Sequence, residues 1–266
     1  MIVAHRGIGV NAPENSIAAL ESCISLGLEI VELDVRRTAD QKLVIIHDAT
    51  VDRTTNGSGR VEDLSLEELR RLRLRDDNVA LDGPLTNELV PTLEEAVIAA
   101  KNRILINLDV KQDIVNDAYE VVRQLGSADQ VIFKRRVTAR DSPLGSTAPF
   151  NDMLLYMPVL VQKDGPVRPA LRQHLSPTPP AVELVFRKMG FARRGVVLAT
   201  NVGCRAWVNT VIPRFSAGLV DEQALRNPGN VWGTLIDMGF SIILTDEPVA
   251  LRRYLKSRKN SRKAEH

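Results

Sequence analysis

Cysteine is almost absent. Cys23 and Cys204 are the only two in 266 residues, far apart and at no metal or redox spacing. Two such residues make no disulfide framework, and Cys23, in a helical-looking stretch beside Ile24, reads as a buried inert thiol. A surplus of one charge is missing too: the formal charge is +2. Nucleic acid, which calls for a pronounced basic face, is therefore not expected as a partner. No apolar run approaches transmembrane length, so stable membrane insertion is not expected. No signal peptide is expected before the first strand, because Ile2–Ala4 already reads as structure. The expected compartment is the cytoplasm, or the periplasm or exterior if a leader has been removed. No internal repeat is visible, and the oligomeric state is left open.

What is present is ordinary globular material, 44% hydrophobic and 26% charged, at a length that α/β barrels reach undivided. Short apolar runs alternate with helical periodicity, the pattern of a parallel α/β fold. Candidate strands are Ile2–His5, Ile30–Val35, Leu43–His47, Ile104–Val110, Val131–Phe133, Leu154–Leu160, Val182–Phe186, Val196–Ala199, Ala206–Asn209 and Ile242–Thr245. These are ten candidates for the eight places of a closed barrel, with the surplus expected in the Val182–Asn209 region. Helices are clearest at Ser16–Leu26, Leu66–Leu72, Leu93–Lys101, Ile114–Leu125 and Trp232–Met238. Asn15 is placed to cap the first, and Thr92 with Glu95 has capping-box spacing for the third. The stretch between His47 and Pro91, with the turn Asn56-Gly57-Ser58-Gly59, reads as an excursion between barrel elements. One domain over 1–251 is expected, with an insertion at about 50–91. The basic segment 252–266 reads as a frayed, solvated tail rather than a contact for anionic lipid.

The polar residues that end the strands carry the chemistry. Ile2-Val3-Ala4 runs into His5-Arg6-Gly7, and Leu43–Ile46 into His47-Asp48. Glu32 and Asp34 alternate on one strand and so share a face. Ile104–Leu108 runs into Asp109-Val110-Lys111. Four consecutive strands thus deliver ionisable groups at their C-terminal ends, which converge on one mouth in a parallel barrel. Acids gathered there repel unless a cation neutralises them. Glu32, Asp34 and Asp109 are hard oxygen donors, which favours Mg²⁺ or Ca²⁺. Of only four histidines, His5 and His47 end apolar strands and suit an acid and a base near neutral pH, whereas His174 and His266 have no such context. Arg6 and Lys111 supply positive charge for a phosphoryl group. Together these describe a site for a phosphate ester.

The same residues fall in a known pattern. His5-Arg6-Gly7, Pro13-Glu14-Asn15-Ser16, Glu32-Leu33-Asp34-Val35, Thr38-Ala39-Asp40, His47-Asp48 and Asp52–Gly59 resemble, in order and spacing, the glycerophosphodiester phosphodiesterase family. Asp109-Val110-Lys111 resembles its later acid-x-lysine unit, and Thr245-Asp246-Glu247-Pro248 its closing motif. The resemblance implies a TIM (β/α)8 barrel with a small insertion after the third strand. It implies hydrolysis of a small-molecule phosphodiester to an alcohol and a phosphomonoester with one divalent cation. It makes Glu32, Asp34 and Asp109 metal ligands, His5 and His47 the acid/base pair, and Arg6 and Lys111 phosphate holders. Glu14 is placed near the metal or the alcohol portion of the substrate. Trp207, in Trp207-Val208-Asn209, resembles a late barrel segment that lines the substrate side, with a core tryptophan as the competing reading. One departure stands out: Asp109 occupies a position usually filled by glutamate, one methylene longer. That shift bears on metal affinity rather than on activity. Glycerol esters are the default substrate, with sugar phosphodiesters of the agrocinopine type and lysophospholipids as alternatives. A non-catalytic phosphodiester-binding barrel ranks behind, since no histidine or metal acid is lost.

Overall fold

The computed structural model describes residues 1–7, 12–76 and 83–264, with side chains as far as Ser261. The elements in order are β1 (Ile2–Ala4), α1 (Ile17–Ser25), β2 (Ile30–Arg37), β3 (Leu43–Ile45), α2 (Leu66–Leu69), α3 (Leu93–Ala100), β4 (Leu105–Val110), α4 (Val115–Gln124) and β5 (Val131–Val137). They continue as β6 (Tyr156–Val161), α5 (Val167–His174), β7 (Ala181–Val185), α6 (Met189–Thr200), β8 (Arg205–Asn209), α7 (Asp221–Arg226), α8 (Thr234–Met238), β9 (Ile242–Thr245) and α9 (Pro248–Ala264). All the strands except β3 are the parallel strands of a TIM (β/α)8 barrel. The chain divides into two compact units, one of residues 4–134 with 152–155, the other of residues 1–3, 135–151 and 156–266.

In the first unit β2 runs parallel to β4, with Glu32 opposite Asn107 and Asp34 opposite Asp109. β4 in turn pairs with β5, Asn107 opposite Ile132. Because side chains alternate across a strand, Glu32, Asp34, Asn107 and Asp109 share one face. β3 differs from the expectation of four parallel strands, for it returns antiparallel along β2, Ile45 opposite Val35. The reason is length: only residues 38–42 link the two strands, and a parallel crossover needs about a dozen or more. His47 therefore comes back down beside β2 instead of ending a parallel strand, and its carbonyl accepts from Arg36 Nε at 2.8 Å. Between β3 and α3 the described residues carry α2 and no strand. Val51, Val61, Leu69, Leu74 and Val90 pack with Val44 and Ile46 into a small apolar cluster of its own.

Capping follows the sequence at one helix and departs from it at another. Thr92 and Glu95 form the expected capping box at α3, a motif whose cap contributes about 1 kcal/mol. α1 is capped by Ser16, whose Oγ accepts from Ala19 N at 3.0 Å. Asn15 stands one residue earlier at φ 56°, and its side chain is used in the site.

The second unit runs β6, β7, β8, β9 as parallel neighbours. Val196–Ala199, expected as a strand, lies within α6, where Val196 and Ala199 are buried and Val197 is 56% exposed. The basic segment from Arg252, expected to be frayed, continues α9 to Ala264, since lysine, arginine and alanine are strong helix formers. Glu265 and His266 lie outside the described residues. His174 is buried: its Nδ1 accepts from Leu144 N at 3.2 Å and its Nε2 donates to Thr138 O at 2.6 Å, pinning the irregular segment after β5. Both cysteines are buried free thiols, pushed up to about 12 by burial. Among the described residues no helix is long and apolar enough to cross a membrane.

Candidate active site

The site lies in the first unit. Glu32 and Asp34 project from β2 and Asp109 from β4, and one oxygen from each lies within 4.8 Å of the others. Asp34 is wholly buried and Glu32 nearly so. Oxygens bound to one Mg²⁺ or Ca²⁺ at roughly 2.0–2.6 Å stand at most about 5 Å apart, so this donor set fits a hard divalent cation.

Ammonium groups neutralise the acids in the structure. Lys111 Nζ is 2.8 Å from Asp34 Oδ1 and 2.6 Å from Asp109 Oδ2. Lys134 Nζ, from β5, is 3.6 Å from Asp109 Oδ2 and 3.9 Å from Glu32 Oε1. Burial would raise the Asp109 carboxyl, but Lys134 and Lys111 outweigh it and hold it down at about 2. Glu32 goes the other way. Burial first, then the charge of Asp34, push its carboxyl up to about 7 against the pull of His5 and Lys134. Burial would lower the Lys111 ammonium, yet Asp34 and Asp109 raise it on balance.

The loop after β1 bends sharply to bring Arg6 inward. Arg6 and Gly7 both have left-handed backbones, φ 53° and 69°, a conformation costing a residue with a Cβ about 1–3 kcal/mol. The bend is held by Asn15 N donating to Arg6 O at 2.8 Å and Arg6 N donating to Glu32 Oε2 at 3.1 Å. A Cβ on Gly7 would stand 2.8 Å from Ala19 Cβ, so glycine is required there. Arg6 Nε then lies 3.4 Å from Asp34 Oδ2, and its Nη1 lies 3.2 Å from both oxygens of Glu14. His5, at the start of the same turn, stands close enough for its charged form to lower the Glu32 carboxyl.

His47 and Asp48 arrive from β3. His47 Nδ1 lies 2.6 Å from Asp48 Oδ1. Burial would raise Asp48, but Arg53 and His47 hold it at about 2. A carboxylate at Nδ1 accepts a hydrogen bond from the N–H there, so that in the neutral ring the lone pair lies on Nε2. Arg53 donates from Nε to Asp48 Oδ2 at 2.6 Å and grips Glu14 through both terminal nitrogens at 2.9 and 2.7 Å. Glu14 is thus occupied by two guanidinium groups, and it acts through them.

A model of the glycerophosphoryl diester phosphodiesterase family matches residues 5–149, more than half of the chain. The chain belongs to that family. A domain of unknown function matches residues 156–255. The chain is 43% identical over 116 residues to a glycerophosphodiester phosphodiesterase of Caldanaerobacter subterraneus, covering 43% of this chain and 46% of that protein. It is 36% identical over 162 residues to glycerophosphodiester phosphodiesterase 1 of Homo sapiens, covering 52% and 46%. The chain spans about half the length of the curated relatives it matches. Among solved structures, a glycerophosphoryl diester phosphodiesterase of Parabacteroides distasonis matches with TM-score 0.78 at 24% identity, over 97% of this chain and 86% of that one. A phosphodiesterase of Oleispira antarctica, solved with the product sn-glycerol-3-phosphate, matches with TM-score 0.60 at 19% identity, over 96% of each chain. These likenesses show the fold.

Of the residues singled out in this family member's sequence, Arg6, Glu14, Glu32, Asp34, His47, Asp109 and Lys111 are joined by the contacts above, and His5 adjoins Glu32 electrostatically. Trp207 belongs to the second unit, on β8, where it is wholly buried and its indole N–H has no partner among the described residues. Three contributors were missed. Asn15 clasps Asp34, donating from Nδ2 to Oδ2 at 2.9 Å and accepting Asp34 N at 3.1 Å. Arg53 carries no strand pattern to flag it. Lys134 follows Val131-Ile132-Phe133 as a charged residue ending an apolar run, the same signal that marked the other strand ends.

Proposed function

We propose that this chain is a metal-dependent hydrolase of glycerophosphodiesters, yielding an alcohol and glycerol phosphate. The observation that carries the proposal is the convergence of three carboxylate oxygens within 4.8 Å beside Lys111 and Arg6. The glycerol ester is the substrate favoured by the names of its relatives.

Glu32, Asp34 and Asp109 would hold one Mg²⁺ or Ca²⁺, which supplies Lewis-acid neutralisation of a phosphate oxygen when bound. Arg6 and Lys111 bind the other non-bridging oxygen, and Glu14, shared with Arg53, keeps the Arg6 guanidinium turned toward the acids. His47, anchored at Nδ1 by Asp48, offers Nε2 as the base that takes a proton from the nucleophile. His5 then returns a proton to the leaving alkoxide. The nucleophile is water or a neighbouring hydroxyl of the substrate; phosphorus NMR during turnover separates the two through the signal of a cyclic phosphate.

The test is a panel of glycerol, sugar and lipid phosphodiesters run in Mg²⁺, Ca²⁺ and chelator. Glycerol esters are expected to turn over with metal and not with chelator. His5→Asn and His47→Asn each lower kcat by about 10²–10⁴ with unfolding midpoints unchanged. Undiminished turnover in chelator, or by the double variant, defeats the proposal.

A further inference from the structure

Lys134 is the charge that the phosphodiesterase reading leaves without a task. It sits one step beyond Phe133, which pairs with Leu108, so its side chain emerges level with Asp109 on the adjacent strand. It is only 15% exposed and reaches both Glu32 and Asp109. Lys111 bridges the other pair, Asp34 and Asp109.

Three carboxylates and two ammonium groups already come close to balance. A divalent cation brings the same positive charge that the two lysines supply, and lysine cannot surrender its own except by losing a proton. Cation and lysines together leave the cluster in positive excess, in a buried setting where like charges repel strongly. A phosphodiester or phosphomonoester removes that excess. We infer that Lys134 makes cation binding conditional on the anion: the ammonium opposes the cation while it faces the acids and turns to a phosphate oxygen once an anion arrives. The inference rests on the proposed metal-dependent reading and adds to it a residue that couples the two ligands. By thermodynamic reciprocity the cation must tighten the anion by the same factor.

The experiment titrates Mg²⁺ and Ca²⁺ calorimetrically into the full chain, with and without saturating sn-glycerol 3-phosphate. For the unmodified protein the anion is expected to tighten the cation at least tenfold. Lys134→Met, which keeps the stem and deletes the charge, is expected to bind the cation alone at least tenfold more tightly and to retain less than a threefold effect of the anion. Lys134→Arg is expected to keep the coupling. Lys134→Gln serves if the methionine variant does not fold, as judged by its unfolding transition. A charge-deleted variant with unchanged affinity and unchanged coupling overturns the role of Lys134 while leaving the hydrolase reading intact. An unmodified protein that binds no divalent cation even with saturating sn-glycerol 3-phosphate overturns both.

Discussion

Replacing Glu32 by glutamine tests the electrostatics of the site without any substrate. Glu32 is fully buried beside Asp34, and its carboxyl is pushed up to about 7 from the 4.5 of an unperturbed glutamate. At about 1.36 kcal/mol per pH unit that gap corresponds to about 3 kcal/mol. An acid whose folded pKa is raised favours the folded state only while protonated. Its contribution is complete below pH 4.5 and is lost as pH rises through 7. The metal-free protein should therefore lose up to about 3 kcal/mol between pH 4.5 and 8. Asp48 and Asp109, held at about 2, act elsewhere, their contributions lost only as pH falls below 3.8. Glu32→Gln removes the titration but keeps an oxygen for Arg6 N. In chelator at pH 8 it should be more stable than the parent, with a smaller decline from pH 5. Mg²⁺ or Ca²⁺ at about a thousand times its Kd reverses the order, since it adds about 4.1 kcal/mol to the parent and the variant lacks a ligand oxygen. Urea unfolding at pH 5 and pH 8, in chelator and in cation, reads all four states. If the chelated parent is equally stable at both pH values and the variant weaker at each, the burial argument for Glu32 fails.

Asn15→Leu removes both hydrogen bonds to Asp34 and leaves the buried Asp34 N–H unpaired. It should cost about 2–3 kcal/mol in urea unfolding and weaken Mg²⁺ or Ca²⁺ in calorimetry. His174→Phe strips the partners from Leu144 N and Thr138 O. It should destabilise by about 2–4 kcal/mol while leaving kcat within a few-fold, the opposite of the His5 and His47 variants.

The carboxylates were legible because period-two alternation is a local rule: Glu32 and Asp34 share a face whatever surrounds them. The barrel class followed from the same kind of signal repeated along the chain. Direction was harder, since an apolar run looks alike either way, and only the five residues after Arg37 betray that β3 returns antiparallel. Val196–Ala199 is too short an apolar run to separate strand from helix; Val196 and Ala199, buried three positions apart with Val197 exposed, follow the helical spacing. Asn15 suits a cap because asparagine favours that position. Its clasp on Asp34 spans nineteen positions, and no spacing rule foresees such a contact. Lys134 escapes the rule because the apolar run stops at Phe133, whereas β5 continues four residues further, to Val137.

The excursion after β3 explains why so much chemistry depends on a segment outside the parallel strands. His47 and Asp48 lead into it, and Arg53 lies within it. Arg53 links Asp48 to Glu14, and Glu14 in turn grips Arg6, whose Nε faces Asp34. One line of charged contacts therefore runs from the histidine that approaches from β3 to the acid at the centre of the cluster. Burial lowers the Arg53 guanidinium, but its hydrogen bonds to Glu14, the largest influence, raise it on balance, so the link stays charged at any working pH. The apolar cluster of Val51, Val61, Leu69 and Leu74 is then more than local padding. It fixes the loop that carries Arg53, and through Arg53 it fixes the orientation of both Arg6 and His47. An insertion that loosened there would loosen both ends of the site at once, while leaving Glu32, Asp34 and Asp109 on their strands.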